Sequence, residues 1–413
     1  MMKTYLKFAA IILVLMMVGS SASALAVSTS SKSVKPASSN KTIKYKKAIP
    51  VKSTKSKKKK IQSKTVRQTS PFLYEGWLPY WKKVSAAGEV SIHLNKFQEI
   101  SPFSYEVNAD GIPVDKLKIQ EGLWPNYLLA VRDLRIKIIP TIAWLDGNAI
   151  HNILADPTSR QLHISQLVAL AKTNNFDGLD IDYENKKSET NPYFSQFLQE
   201  LATKLHSQNK TLTCSIEPRT PPSSQFTVVP TDTPRANDYN AINQYCDEVR
   251  VMAYDQRRVD LLLNQSKGSS SQTYIPIADP DWVAKVLQET TQTIKPGKIV
   301  LGIPTYGHQY VISEDASGTR TYTRAGSITY SSAIELAKNL GVTPTRNSAD
   351  ELSFTYAGSS TSATGTTSTN LVWFSDAPAM ADKINLAKKQ KLRGVAFFKF
   401  DGETDPAIWN EIK

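Results

Sequence analysis

The stretch Phe176-Asp177-Gly178-Leu179-Asp180-Ile181-Asp182-Tyr183-Glu184 decides the fold. Asp180, Asp182 and Glu184 recur at every second position, and Leu179, Ile181 and Tyr183 fill the gaps. On an extended strand successive side chains point to opposite faces, so the carboxylates share one face and the apolar residues the other. A solvated edge strand would leave Leu179 and Ile181 no core to pack. In a closed parallel barrel the apolar face packs on helices and the acids climb the interior. Glu184, last in the series, then reaches the C-terminal rim, where barrel active sites assemble.

The flanking sequence repeats this pattern. Strand candidates are Gly76–Tyr80, Glu99–Tyr105, Ile136–Ala143, Gly178–Tyr183, Leu212–Ile216, Glu248–Ala253, Ile299–Pro304 and Gly394–Phe400. Between them lie helices with apolar residues at i, i+3, i+4 and i+7, such as Ile164, Leu167, Val168 and Ala171, or Phe194, Phe197, Leu198 and Leu201. The second helix opens on Asn191-Pro192, which reads as an N-cap followed by proline at the first helical position. Eight strands separated by helices predict an α/β fold, the (β/α)8 TIM barrel. About ninety residues separate Pro304 from Gly394, too many for one crossover. They predict a small α+β insertion between strands seven and eight, at about 308–390. It would contain strand-like pieces at Arg320–Thr323, Ser353–Tyr356 and Leu371–Phe374, a helix ending at Gly341, and a flexible tip over Gly358–Thr369.

Charge divides the chain differently. Residues 1–26 carry Lys3 and Lys7, an apolar run from Phe8 to Val18 and an A-x-A pattern ending at Ala26, a secretory signal peptide. The run is short beside the roughly 20 residues of a membrane span. Residues 27–70 hold thirteen lysines, Arg67 and no acid among Ser and Thr, so they predict a disordered tether drawn to an anionic cell wall or membrane surface. The remaining body, 71–413, has 34 basic against 37 acidic residues, so the formal charge of +13 belongs to the tail and gives no support to nucleic-acid binding. Cys214 lies in a strand and Cys246 just ahead of the next; they read as two unrelated buried thiols, although an exported chain could bridge them.

Three stacked carboxylates in a partly enclosed space cannot all ionise, so a proton is held among them near neutral pH, as a general acid requires. Calcium loops of similar spacing are turns with polar or glycine fillers, not Leu and Ile, so no metal is expected.

The motif D-G-x-D-x-D-x-E resembles the signature of family 18 glycoside hydrolases, the chitinases and their relatives, and Met252-Ala253-Tyr254-Asp255 resembles that family's M-x-Y-D. The resemblance covers roughly residues 72–413. It implies a substrate-assisted retaining mechanism needing no cofactor, in which the substrate's 2-acetamido oxygen attacks the anomeric carbon. Glu184 would protonate the leaving oxygen and later activate water. Asp182 would orient the acetamido group, Asp180 modulate the charge of Asp182, and Tyr254 hydrogen-bond the acetamido carbonyl. Asp255 and Met252 would shape the same subsite, and Asp177 and Gly178 would hold the start of the strand. The implied partner is an N-acetylglucosamine-containing polysaccharide, chitin-type or peptidoglycan, met by a monomer. The same fold also hosts lectin-like barrels that have lost the acid, a reading that the presence of Glu184, Asp182 and Tyr254 disfavours.

Two departures stand out. Strand three reads Thr141-Ile142-Ala143-Trp144 where many chitinases have S-x-G-G, and near strand eight Phe398 replaces the usual tryptophan floor. With Pro102-Phe103-Ser104-Tyr105 on strand two, this looks closer to the wall- and spore-cortex-lytic branch. Trp144, Tyr105 and Phe398 are the aromatics expected to touch sugar, with Trp77, Tyr80, Trp81 and Tyr306 as further candidates.

Overall fold

The computed structural model describes residues 71–231, 233–256, 263, 266–268, 274–314, 320–358 and 368–413. The expected signal peptide and basic tether, and residues 359–367 of the expected flexible tip, lie outside the described residues. Among the described residues no helix is long and apolar enough to cross a membrane.

Eight parallel strands close on themselves: β1 Leu73–Pro79, β2 Glu99–Val107, β3 Thr141–Trp144, β4 Gly178–Tyr183, β5 Thr211–Ile216, β6 Glu248–Val251, β7 Ile299–Pro304 and β8 Gly394–Phe398. Each pairs with the next, and β8 returns to β1, so the ring has no edge. The third expected strand is broken: Lys137–Ile138 pairs with β2 separately, because Pro140, without an N–H, interrupts the ladder before β3 begins. Outside the ring the helix Asn191–His206 buries Phe194, Phe197, Leu198, Leu201 and Leu205, and the helix Pro157–Thr173 buries Ile164, Leu167 and Ala171. Asn191 is the first helical residue rather than the cap; its amide donates to the Arg235 carbonyl at 2.7 Å.

The insertion runs from Tyr306 to Phe374. It is a five-stranded antiparallel sheet ordered Arg320–Thr329, Tyr306–Glu314, Ser368–Phe374, Leu352–Ala357, Thr345–Arg346, with the helix Tyr330–Leu340 against it. The expected boundary near 390 is too late, because the helix Ala377–Lys389 packs on β7 and β8 and belongs to the barrel layer. Fully buried Glu351 fastens the insertion to the loop that follows β6: it accepts from the backbone N–H of Ile277 at 2.9 Å and Ala278 at 3.0 Å, and from Trp373 Nε1 at 2.6 Å.

Cys214 and Cys246 form a disulfide, with Cα atoms 6.1 Å apart, which corrects the expectation of two separate thiols. Cys214 is on the outward face of β5 and Cys246 precedes β6; pairing β5 with β6 makes the two residues neighbours despite a sequence separation of 32.

Polar residues fill the lower interior. Arg250, on β6 and 0% exposed, donates to Glu75 Oε1 at 2.9 Å, Glu99 Oε1 at 2.8 Å and Ser101 Oγ at 2.7 Å, and lies 2.7 Å from Asp180 Oδ2. One guanidinium thus joins β1, β2, β4 and β6 at the floor of the site.

Candidate active site

β4 places Asp180 and Asp182 inward, with Glu184 following at the rim. Gly178 is required at its start: a Cβ there would stand 2.3 Å from the Thr211 carbonyl oxygen. Asp177 accepts from the Ile138 N–H at 2.8 Å and ties β4 to the segment ahead of β3.

The three acids have different surroundings. Asp180 is 0% exposed and saturated with donors: Thr141 Oγ1 at 2.8 Å, Ser215 Oγ at 2.9 Å and the Arg250 guanidinium. Asp182, one layer higher, is buried with Oδ1 unpartnered. Burial, then the negative charges of Glu184, Asp180 and Glu217, push its carboxyl well above the usual carboxylate range. Glu184 is only partly buried; desolvation and then the Glu217 charge raise it, against the pull of Lys186. Both carboxyls are thus pushed toward the protonated form, while Asp180 below is fixed by its donors.

Met252 and Tyr254 follow β6, which ends at Val251, two residues earlier than the sequence pattern suggests. Backbone bonds from Ala253 N–H to the Val251 carbonyl and from Tyr254 N–H to the Met252 carbonyl, both 2.8 Å, curl the chain inward over the mouth. Tyr254 finds room because residue 302 is glycine: a Cβ there would lie 2.8 Å from its ring. Its ring stacks on Phe398 at 5.2 Å and 7°, and Trp77 meets Phe398 edge-on at 5.6 Å. Phe398 is thus part of an aromatic floor beside the carboxylates. Asp255 adopts a left-handed φ of 54° and accepts from Tyr306 Oη at 3.0 Å and His308 Nε2 at 2.6 Å. Burial works to raise its carboxyl, but His308 and the Tyr306 hydroxyl outweigh that and hold it below its ordinary value.

Two expected sugar contacts lie elsewhere. Trp144 pairs in register with Tyr183, is 1% exposed, and packs on Tyr183 and His163 behind the barrel wall. Tyr105 likewise faces outward onto Phe176. Trp144 belongs to the helix-facing set that the two-residue period of β3 already encodes, whereas Tyr105 has the parity of the inward Glu99 and Ser101 and is turned outward by the register shift between Phe103 and Tyr105. Trp81, by contrast, is 46% exposed at the rim. With Asp255, Tyr306, Gln309, Arg324 and Phe398 it lines a cleft of about 600 Å³ between the barrel mouth and the insertion.

The sequence reading passed over Arg250, Glu217, Lys186 and His308. A signal existed for two of them: Thr213, Ser215 and Glu217 alternate with Leu212, Cys214 and Ile216 as the acids do on β4, and Arg250 follows Glu248 at the same spacing. Glu75, Glu99 and Glu248 bring oxygens within 4.8 Å of one another, a spacing that could hold a cation, but the Arg250 guanidinium already stands against two of them.

A barrel mouth that gathers carboxylates, a tyrosine over an aromatic floor and an open cleft is the arrangement expected of a glycoside hydrolase. Residues 129–403 match the model of glycosyl hydrolases family 18, and the chain belongs to that family. It is similar to a Bacillus subtilis protein described as an uncharacterized glycosylase, YvbX, at 23% identity over 65% of this chain and 70% of the relative. Among solved structures it resembles a chitinase from Chromobacterium violaceum, with TM-score 0.64 at 19% identity, covering 83% of this chain and 98% of that one. It also resembles the spore cortex-lytic enzyme SleL of Bacillus cereus, with TM-score 0.63 at 20% identity, covering 83% and 73%.

Proposed function

We propose that the protein hydrolyses β-1,4 glycosidic bonds next to N-acetylglucosamine, in peptidoglycan or chitin-type polymers, with retention through the substrate's own acetamido group. The observation that carries this reading is the placement of Asp182, Glu184 and Tyr254 around one mouth beside Phe398. Phe398 gives the apolar face of a sugar a surface to rest on. Asp182 accepts the acetamido N–H and Tyr254 donates to its carbonyl, which aims the oxygen at the anomeric carbon. Glu184 passes its proton to the leaving oxygen and takes one back from water. Peptidoglycan is favoured by the likeness to a cortex-lytic enzyme and by the basic tail.

The test is to incubate the protein with chitin oligomers and with purified peptidoglycan and identify released ends by mass spectrometry. New reducing ends at N-acetylglucosamine are expected, with cellulose oligomers inert. Comparable hydrolysis of cellulose oligomers would overturn the acetamido mechanism. We further propose that the chain is exported and that residues 27–70 attach it to an anionic wall. Sacculus binding should then weaken as salt rises, since exposed charges are screened over about 8 Å at physiological ionic strength. Salt-independent binding equal to that of a form lacking 27–70 would remove the tail from that role.

A further inference from the structure

The rim of the barrel holds a second carboxylate beside Glu184. β4 and β5 pair in parallel with Asp180 opposite Thr213 and Ile181 opposite Cys214; continued three residues on, the register sets Glu184 beside Glu217. Neighbouring strands lie about 4.8 Å apart, so these two inward-pointing acids stand at one height on adjacent staves. Glu217 is held from two sides: Asn237 Nδ2 donates to its Oε2 at 2.7 Å, and Lys186 Nζ stands 3.8 Å from its Oε1. Lys186 is itself fixed, its ammonium donating to the Tyr183 carbonyl and lying 4.7 Å over the Phe194 ring. The cleft described above lies on the other side of the mouth, lined from the β1, β6, β7 and β8 ends. Glu217 and Lys186 therefore flank Glu184 away from the Phe398 floor.

We propose that Glu217, clamped by Asn237 and Lys186 at the height of Glu184, is a positioning residue that sets how tightly Glu184 holds its transferable proton. This rests on the reading of Glu184 as proton donor. The groups facing Glu184 are Asp182 below it on β4, Lys186 on the loop after β4, Glu217 on β5, and Tyr254 and Asp255 after β6. Asp255 is engaged by His308 and Tyr306; among the described residues the ammonium of Lys186 faces Asp182, Glu184 and Glu217, and the Arg219 guanidinium lies beyond Glu217, 2.9 Å from the Asn237 carbonyl. One cation cannot balance three carboxylates in a partly desolvated space, so their mutual repulsion favours binding a proton there. Burial together with the Glu217 charge accounts for the raised Glu184 carboxyl.

The experiment is the pH profile of kcat/KM on a soluble N-acetylglucosamine oligomer for four proteins: wild type, Glu217→Gln, Lys186→Met and the double variant. Removing the like charge should move the basic limb of Glu217→Gln to lower pH, by about one pH unit. Removing the cation should move Lys186→Met the opposite way, and the double variant should return toward wild type. Unfolding would not produce opposite displacements that cancel, and circular dichroism melts identify any variant that fails to fold. Glu217→Gln with an unmoved limb, or both single variants displaced in one direction, would overturn the inference and leave the donor assignment standing. A Glu184→Gln variant with an intact basic limb and near-normal turnover would instead overturn the donor assignment itself.

Discussion

Two levels of one barrel interior carry carboxylates, and they are treated in opposite ways. At the floor, Glu75, Glu99 and Asp180 converge on Arg250, which is 0% exposed and meets every one of them within 2.9 Å. At the mouth, among the described residues, Asp182, Glu184 and Glu217 face the ammonium of Lys186, and Asp182 Oδ1 has no hydrogen-bond partner. The side chains are the same, and so is the period of two along the strands. Each level sets three carboxylates against one cation; what differs is how closely the acids are held and whether substrate can reach them. Acids bonded directly to Arg250 at the floor hold strands together, whereas the more loosely held acids at the mouth are placed to exchange a proton. Burial, and then the charges of Glu248 and Glu75, push the Glu99 carboxyl well above its usual range, so the floor also keeps a proton, but one enclosed away from substrate.

Substitution at the two levels should therefore separate activity from stability. Glu184→Gln keeps the shape of the donor and removes its proton, so turnover should fall about 10²–10⁴-fold, while stability should not fall, since a carboxylate crowded by like charge is replaced by a neutral amide. Arg250→Met should do the reverse first: it strands three buried carboxylates, and breaking a buried ion pair costs about 3–5 kcal/mol of stability. Denaturant titration of the two variants beside activity measurements checks the contrast. An Arg250→Met protein as stable as wild type would show that the contacts at the floor do not hold the strands together.

The smallest expected effect sharpens the comparison at Asp182. Its carboxyl is raised in the folded state, so the folded protein binds the proton more tightly than the unfolded chain. That contribution is fully present below the unfolded pKa of about 4 and is lost as pH rises through the folded value. Asp182→Asn removes the loss and should gain on the order of 1 kcal/mol at neutral pH, with the gain vanishing in acid. Melting both proteins across a pH series measures this; a gain independent of pH would place its origin in packing rather than in charge.

Much of this was legible in the chain. Eight apolar segments and the D-x-D-x-E alternation specify a barrel with acids inside, because a period of two leaves no other way to bury Leu179 and Ile181 beside charged neighbours. The parity that put Asp182 inward also puts Trp144 outward, so that error came from weighing residue type over position. Other features had no local signal. Glu75 and Arg250 are 175 residues apart and meet only because the ring closes. His308 reaches Asp255 from the insertion, and the insertion ends at Phe374 rather than near 390, where nothing in Ala377–Lys389 distinguishes a barrel helix from one in the insertion. Cys214 and Cys246 each look like a small core residue until β5 and β6 are set side by side.

That cross-link makes the polypeptide two molecules rather than one. Both sulfurs are inaccessible in the folded chain, so the bond must close before the helix layer covers it or during the same collapse. In a reducing cytosol the chain would finish folding as a dithiol; in an oxidising compartment it would finish as a cystine-stitched ring. The stitch joins the staves that carry Glu217 and lead to Tyr254, and closing a loop with a sequence separation of 32 restrains the unfolded ensemble by about 3–4 kcal/mol. Where the protein matures is thus recorded in its covalent structure, and thiol titration under denaturing conditions can read out which of the two molecules a preparation contains.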